Sequence, residues 1–106
     1  PGGGFEGNIP RVLPTGVRAR IALSSWPRPP IFDFLARHGE IAEDEMRRVF
    51  NCGLGMILVT RKEDAEDVIN RLGGMSERAY RIGTIERKGE DDPPLLFVGS
   101  PGDPAD

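Results

Sequence analysis

The chain is poor in the residues that most often make a site visible. Its 106 residues include one cysteine, one histidine, one tryptophan and one tyrosine. A lone Cys52 excludes an internal disulfide and any multi-cysteine metal site. No apolar run approaches the ~20 residues a membrane-spanning helix needs, so no membrane partner is expected. No basic excess exists either: 14 Lys and Arg stand against 17 Asp and Glu, a net charge of -3. That balance argues against salt-driven binding to nucleic acid. No charged-then-apolar leader heads the sequence, and with the scarce cysteine and histidine this points to a reducing, cytoplasmic location. What is present is ordinary for one globular domain, 38% apolar and 29% charged residues.

Glycine (14) and proline (10) are plentiful and unevenly placed. They gather at residues 1–7, at 27–30 and from Gly89 onward, with no internal repeat. The tail "GSPGDPAD" buries little and is expected to be flexible over residues 99–106.

Between these clusters the period of the apolar residues alternates. "NIPRVL" suits a short helix with Asn8 as N-cap and Pro10 in the first turn. In residues 17–23, Val17, Ala19 and Ile21 alternate with Arg18 and Arg20, the pattern of a half-buried strand. Ile31, Phe34, Leu35 and His38 then fall at helical spacing before Gly39. "EDEMRRVF" places Met46, Val49 and Phe50 on one helix face, acids first and arginines last, as the helix dipole favours. Residues 55–60, "GMILVT", form a continuous apolar run that reads as a buried strand. Thr60 and Glu63 have capping-box spacing, followed by Ala65, Val68, Ile69 and Leu72 on one face and the stop Gly73-Gly74. "RAYRIGTIER" and "LLFV" are further strands. The order predicts an α/β (α+β) sandwich in which helices cover a mixed sheet.

Two segments could carry chemistry. Gly2, Gly3 and Gly4 run into "NIPR". Glycines admit close backbone approach, a helix start offers unpaired N–H groups, and Arg11 could grip phosphate oxygens bidentately. The same residues are equally consistent with a flexible end before an ordinary helix. "FNCGLGM" brackets Leu54 between Gly53 and Gly55 at a helix-to-strand turn, which is structural by spacing and could present Asn51 and backbone amides to a ligand. Cys52 has no base beside it in sequence and reads as a buried thiol. His38 sits at a helix end, where positive charge complements the dipole. Glu43, Asp44 and Glu45 are consecutive, so they spread around a helix rather than converge on a metal. Trp26, in a proline-rich turn, is expected to pack at the edge of the core.

Four separated segments, "GGGFEGNIPRVLP", "SSWPRPPIFDFLARHG", "EDEMRRVFNCGLGMILV" and "AYRIGTIE", occur in the order and at the spacing of the C-terminal region of the aminoimidazole ribonucleotide synthetase (phosphoribosylformylglycinamidine cyclo-ligase) family. The sequence resembles that family from Gly2 to about Glu86. The family's glycine motif reads His-Ile-Thr-Gly-Gly-Gly; the three glycines match and Pro1 stands in the threonine's place. The resemblance implies ATP-dependent closure of the imidazole ring in purine biosynthesis. It implies that Gly2, Gly3, Gly4, Asn8 and Arg11 belong to a substrate-phosphate site, with Asn51, Gly53 and Gly55 lining the same cleft. ATP and Mg2+ belong to an N-terminal domain whose motifs are not in this sequence. That domain, the ribonucleotide and a second subunit of a homodimer are the implied partners. Residues 1–98 are thus expected to form a C-terminal domain, incomplete at its N-terminal edge, that binds no ATP strongly and is inactive alone. A stand-alone phosphometabolite-binding or scaffold domain of the same superfamily is the alternative.

Overall fold

A computed structural model describes residues 3–100 of the chain. The tail expected to be flexible falls mostly on residues 101–106, outside the described residues. The elements are helix α1 (Gly4–Asn8) running into a 3-10 turn (Ile9–Val12), strand β1 (Val17–Ala22), helices α2 (Pro30–His38) and α3 (Glu43–Val49), a 3-10 turn (Lys62–Asp64) leading into α4 (Ala65–Gly74), and strands β2 (Gly83–Arg87) and β3 (Leu95–Val98). The three strands form one mixed sheet in the order β2-β1-β3. β1 pairs antiparallel with β2 and parallel with β3, with Ala19 opposite both Ile85 and Leu95. The α+β class with helices over a mixed sheet is the architecture the sequence order implies.

The alternation in β1 sorts the two faces of the sheet. Ala19 and Ile21 are buried, and with Leu95 they join Phe5, Ile9, Leu23, Trp26, Met46 and Cys52 in one core. Phe5 is the hub: its ring lies 5.8 Å from Trp26 and 5.7 Å from Phe97, edge-on to the latter. Arg18 and Arg20 occupy the opposite face, where both reach the Glu86 carboxylate, Arg20 Nε at 2.6 Å. Arg20 and, to a lesser degree, Arg18 hold that carboxyl below its usual range, the Arg20 hydrogen bond being the main cause.

Several elements differ from the sequence expectation. A helix, α1, precedes the short helix expected in "NIPRVL", which forms as the 3-10 turn Ile9–Val12 with Asn8 at its N-cap position and Pro10 in its first turn; the Asn8 side chain makes no capping bond there, and its Nδ2 donates to the Gly4 carbonyl at 2.7 Å. α2 turns Phe32, Leu35 and Ala36 toward the core, not Ile31 and Phe34. Phe32 meets the Phe50 ring at 6.1 Å, while Phe34 stacks on His38 at 4.1 Å on the outer side. In α3 Met46 is wholly buried at 0% exposure, whereas Val49 faces out. Residues 55–60 form no strand, and Met56 is 82% and Leu58 55% exposed. A strand needs a neighbour to take its N–H and C=O groups, and the described sheet places none there. The Thr60 capping box does not form either. Thr60 Oγ1 donates to the Arg61 carbonyl at 3.0 Å, and the approach to α4 is instead closed by Arg61 on Asp64 at 2.9 Å. Of "RAYRIGTIER" only Gly83–Arg87 is strand, with the Ile82 carbonyl just before it accepting from the Ala22 N–H at 2.8 Å.

Candidate functional site

The glycine run and the "FNCGLGM" turn, far apart in sequence, meet in the fold. α3 ends where the Phe50 N–H bonds the Met46 carbonyl at 2.8 Å. Like any helix, α3 leaves its last carbonyls without partners in the helix, and α1 packs its first turn against them. Gly4 is the residue at the contact. It is buried, with φ +56°, and a Cβ there would overlap the Arg47 carbonyl oxygen and lie 3.1 Å from those of Arg48 and Phe50. Packing alone therefore demands glycine at this position.

The turn after α3 is fixed from three sides. Asn51 Oδ1 accepts from the Gly53 N–H at 2.9 Å, an Asx turn, and the Leu54 N–H reaches the Asn51 carbonyl at 3.1 Å. The indole N–H of Trp26 donates to the Cys52 carbonyl at 3.1 Å. Gly53, at φ +102°, lies where a Cβ would sit 2.5 Å from Pro29 Cδ. The proline-rich turn thus buttresses this loop, and the Asn51 side chain serves its own backbone. Gly55 stands open: a Cβ there would meet nothing within 4 Å. Arg11, on the 3-10 turn after α1, is exposed and makes no ion pair among the described residues. Gly2 lies outside the described residues. Of the residues the sequence designates, the fold brings Gly4 against the end of α3, where the turn of Asn51 and Gly53 begins, while Gly3 lies against Gly7; Asn8 stays on α1 holding Gly4, and Arg11 and Gly55 are exposed.

Beside this junction lies a polar cluster that sequence reasoning did not single out. The Arg28 side chain is only 5% exposed; it pairs with Glu43 at 2.5 Å and approaches Asp33 at 3.4 Å. Burial works against its charge, yet the Glu43 hydrogen bond prevails and its pKa lies above the usual guanidinium value. Arg47 lays its guanidinium over the Phe97 ring at 4.5 Å, and its Nε is buried without a hydrogen-bond partner. Both arginines line a small crevice with Leu23, Trp26, Glu43 and Cys52. Burial pushes the Cys52 thiol pKa up, opposed by the Arg28 and Arg47 charges. Cys52 is thereby a neutral, buried thiol. Periodicity could not reveal Arg28, which stands in an aperiodic proline turn; the only clue was the acid-rich start of α3 facing it.

Among the described residues no three His, Cys, Asp or Glu side chains gather to hold a metal ion. No described helix is long and apolar enough to cross a membrane.

The model of the C-terminal domain of AIR synthase related proteins matches residues 2–93. Among curated relatives, a phosphoribosylformylglycinamidine cyclo-ligase of Bacillus velezensis is 51% identical over 86 residues, covering 81% of this chain and 25% of that protein. Those of Oleidesulfovibrio alaskensis and Myxococcus xanthus are 44% and 47% identical, covering 92% and 80% of this chain but 28% and 25% of the relatives. The chain thus spans about a quarter of the length of these proteins. The matched span holds both glycine turns and the α1–α3 contact that joins them, and with that match the chain belongs to the AIR synthase related family, as its C-terminal domain.

Proposed function

We propose that this chain is the C-terminal domain of an ATP-dependent phosphoribosylformylglycinamidine cyclo-ligase, and that it supplies part of the site for the ribonucleotide's phosphate. The contact of Gly4 with the carbonyls of Arg47, Arg48 and Phe50, where the turn of Asn51 and Gly53 begins, is the observation that supports it. Gly4 is required by packing, but the first N–H groups of a helix have no partners within it, and such groups suit phosphate oxygens. Arg11, exposed one turn further on, adds a guanidinium free to pair bidentately. In this reading Asn8 and Asn51 act by holding the two loops in shape, and Gly53 and Gly55 line the cleft.

The domain's contribution is to bind and orient the phosphate end of the substrate, which lowers the entropic part of the barrier. Its described residues offer magnesium no ready set of ligands, so ATP and Mg2+ are assigned to the N-terminal domain that the family relation implies, and no step is given to them here. A homodimeric parent in the cytoplasm, without nucleic-acid or membrane partners, completes the reading.

The test replaces the C-terminal quarter of the Bacillus velezensis relative with this chain. A chimera folded by circular dichroism is expected to form aminoimidazole ribonucleotide with ATP, and the chain alone to form none. A folded but inactive chimera overturns the reading. Within an active chimera, Arg11→Ala removes a charge-assisted contact of ~1.5–3 kcal/mol, so KM should rise about 10- to 100-fold with kcat little changed. An unchanged KM removes Arg11 from the site.

A further inference from the structure

We propose that Trp26 is a positioning residue for the phosphate cleft: its indole N–H holds the turn of Asn51 and Gly53 in a backbone shape that Cys52 by itself disfavours. This inference rests on the reading above that the turn lines the cleft. The Leu54 N–H bonds the Asn51 carbonyl at 3.1 Å, so residues 51–54 close a β-turn with Cys52 and Gly53 at its centre. Both central residues have positive φ, +53° at Cys52 and +102° at Gly53. Primed turns carry that pair of signs, and they favour glycine, asparagine or aspartate at the first central position. Cys52 stands there instead. It has a Cβ and no side-chain oxygen to stabilise the left-handed backbone, so the turn is strained at this residue.

The peptide unit between the two residues is gripped at both ends. Its carbonyl, that of Cys52, accepts from Trp26 Nε1 at 3.1 Å, and its N–H, that of Gly53, donates to Asn51 Oδ1 at 2.9 Å. Asn51 belongs to the turn and moves with it. Trp26 lies outside the turn, so its bond ties this peptide to the rest of the fold. The same side chain reaches the other wall of the cleft: its ring lies 5.8 Å from that of Phe5, the residue after Gly4. Trp26 is 6% exposed, and the loop that carries it is anchored just beyond by Arg28, paired with Asp33 on α2 and Glu43 on α3. One rigid, buried side chain thus spans from the glycine loop to the turn and sets one against the other. Losing its N–H removes what offsets the strain at Cys52, and the turn relaxes away from the shape that faces the substrate.

The test removes the N–H and keeps the ring. In the full chain Trp26 is replaced by benzothienylalanine, in which a sulfur stands for the indole N–H. Amide exchange at Gly53 and Leu54 is expected to speed up about tenfold or more, with the amides of β1 unchanged. Adding Cys52→Gly, which accepts positive φ at no steric cost, should restore the slow exchange, whereas Cys52→Ala, which keeps a Cβ, should not. In the active chimera, Trp26→Phe is expected to raise KM about tenfold with kcat within about threefold, and Cys52→Gly to bring KM back. If Trp26→Phe does not fold, the benzothienylalanine chimera, its core still filled, takes its place. A merely structural Trp26 would lower kcat with the folded fraction and leave KM where it was. Unchanged exchange at Gly53 and Leu54, equal rescue by glycine and alanine, or a lower kcat at constant KM overturns the proposal. The exchange readout involves no turnover, so its failure leaves the cyclo-ligase reading standing. A chimera inactive with Trp26 in place, beside the expected exchange, fails that reading and not the grip on the turn.

Discussion

At the scale of single residues, Gly4 and Cys52 divide the motif between packing and chemistry. Gly4 has a positive φ and no room for a Cβ beneath the carbonyls that end α3. Strain and overpacking each cost on the order of 1 kcal/mol or more. Gly4→Ala is therefore expected to lower stability by ~2–4 kcal/mol in urea unfolding, and a change under about 0.5 kcal/mol would mean the α1–α3 contact is misplaced. Cys52 tests the polar crevice. Burial raises its thiol pKa in the folded chain, so the folded state keeps the proton longer than the unfolded one. The sign follows: this group's contribution is complete below the unfolded thiol's pKa and is lost as pH rises toward the folded value. Stability should drop between neutral and strongly alkaline pH by more in the native chain than in Cys52→Ala. Equal slopes would show that the thiol is not held neutral. The same burial should make Cys52 slow to alkylate until the chain unfolds.

At the scale of elements, the sequence was legible where the signal is local. β1 and β3 follow from alternation and an apolar run, and the ends of α2 follow from Pro30 and Gly39. It was less legible where tertiary contacts choose between faces. In α2, Ile31 and Phe34 have the same spacing as Phe32 and Leu35, and the Phe32 contact with Phe50 settles which pair turns inward. The packing role of Gly4 was not legible, because a φ and a neighbour's carbonyl are not written in composition. The buried Arg28 was invisible because its partners Asp33 and Glu43 lie on two different helices. Burial also separates two helices that look equally amphipathic in sequence. Met46 of α3 is at 0% exposure, whereas no residue of α4 is buried. Met46→Ala should therefore cost ~2–5 kcal/mol, and Ile69→Ala of α4 no more than about 1 kcal/mol in this chain. A large cost at Ile69 would show that α4 packs on the core after all.

At the scale of the whole molecule, burial is one-sided. Among the described residues every buried one falls at positions 4–52 or at Leu95, and none lies between 53 and 94. Ile85 shows the consequence in the sheet: its register with Ala19 puts it on the core face, yet it is exposed, as none of the described helices covers β2. The Cα radius of gyration, 14.3 Å, exceeds the roughly 13 Å of a compact domain of this length. α4 is held mainly by its own turns, and a helix of ten residues is marginal in water without tertiary support. Local opening of α4 should then need much less free energy than global unfolding, whereas β1, bonded on both sides within the sheet, should open only with the whole fold. Native-state hydrogen exchange in rising low denaturant separates the two. The amides of α4 are expected to exchange at a low free energy that hardly responds to denaturant, and those of β1 at a high one that falls steeply. If both merge at the same value, the molecule is a single cooperative unit and the exposed half is supported by contacts that burial does not reveal.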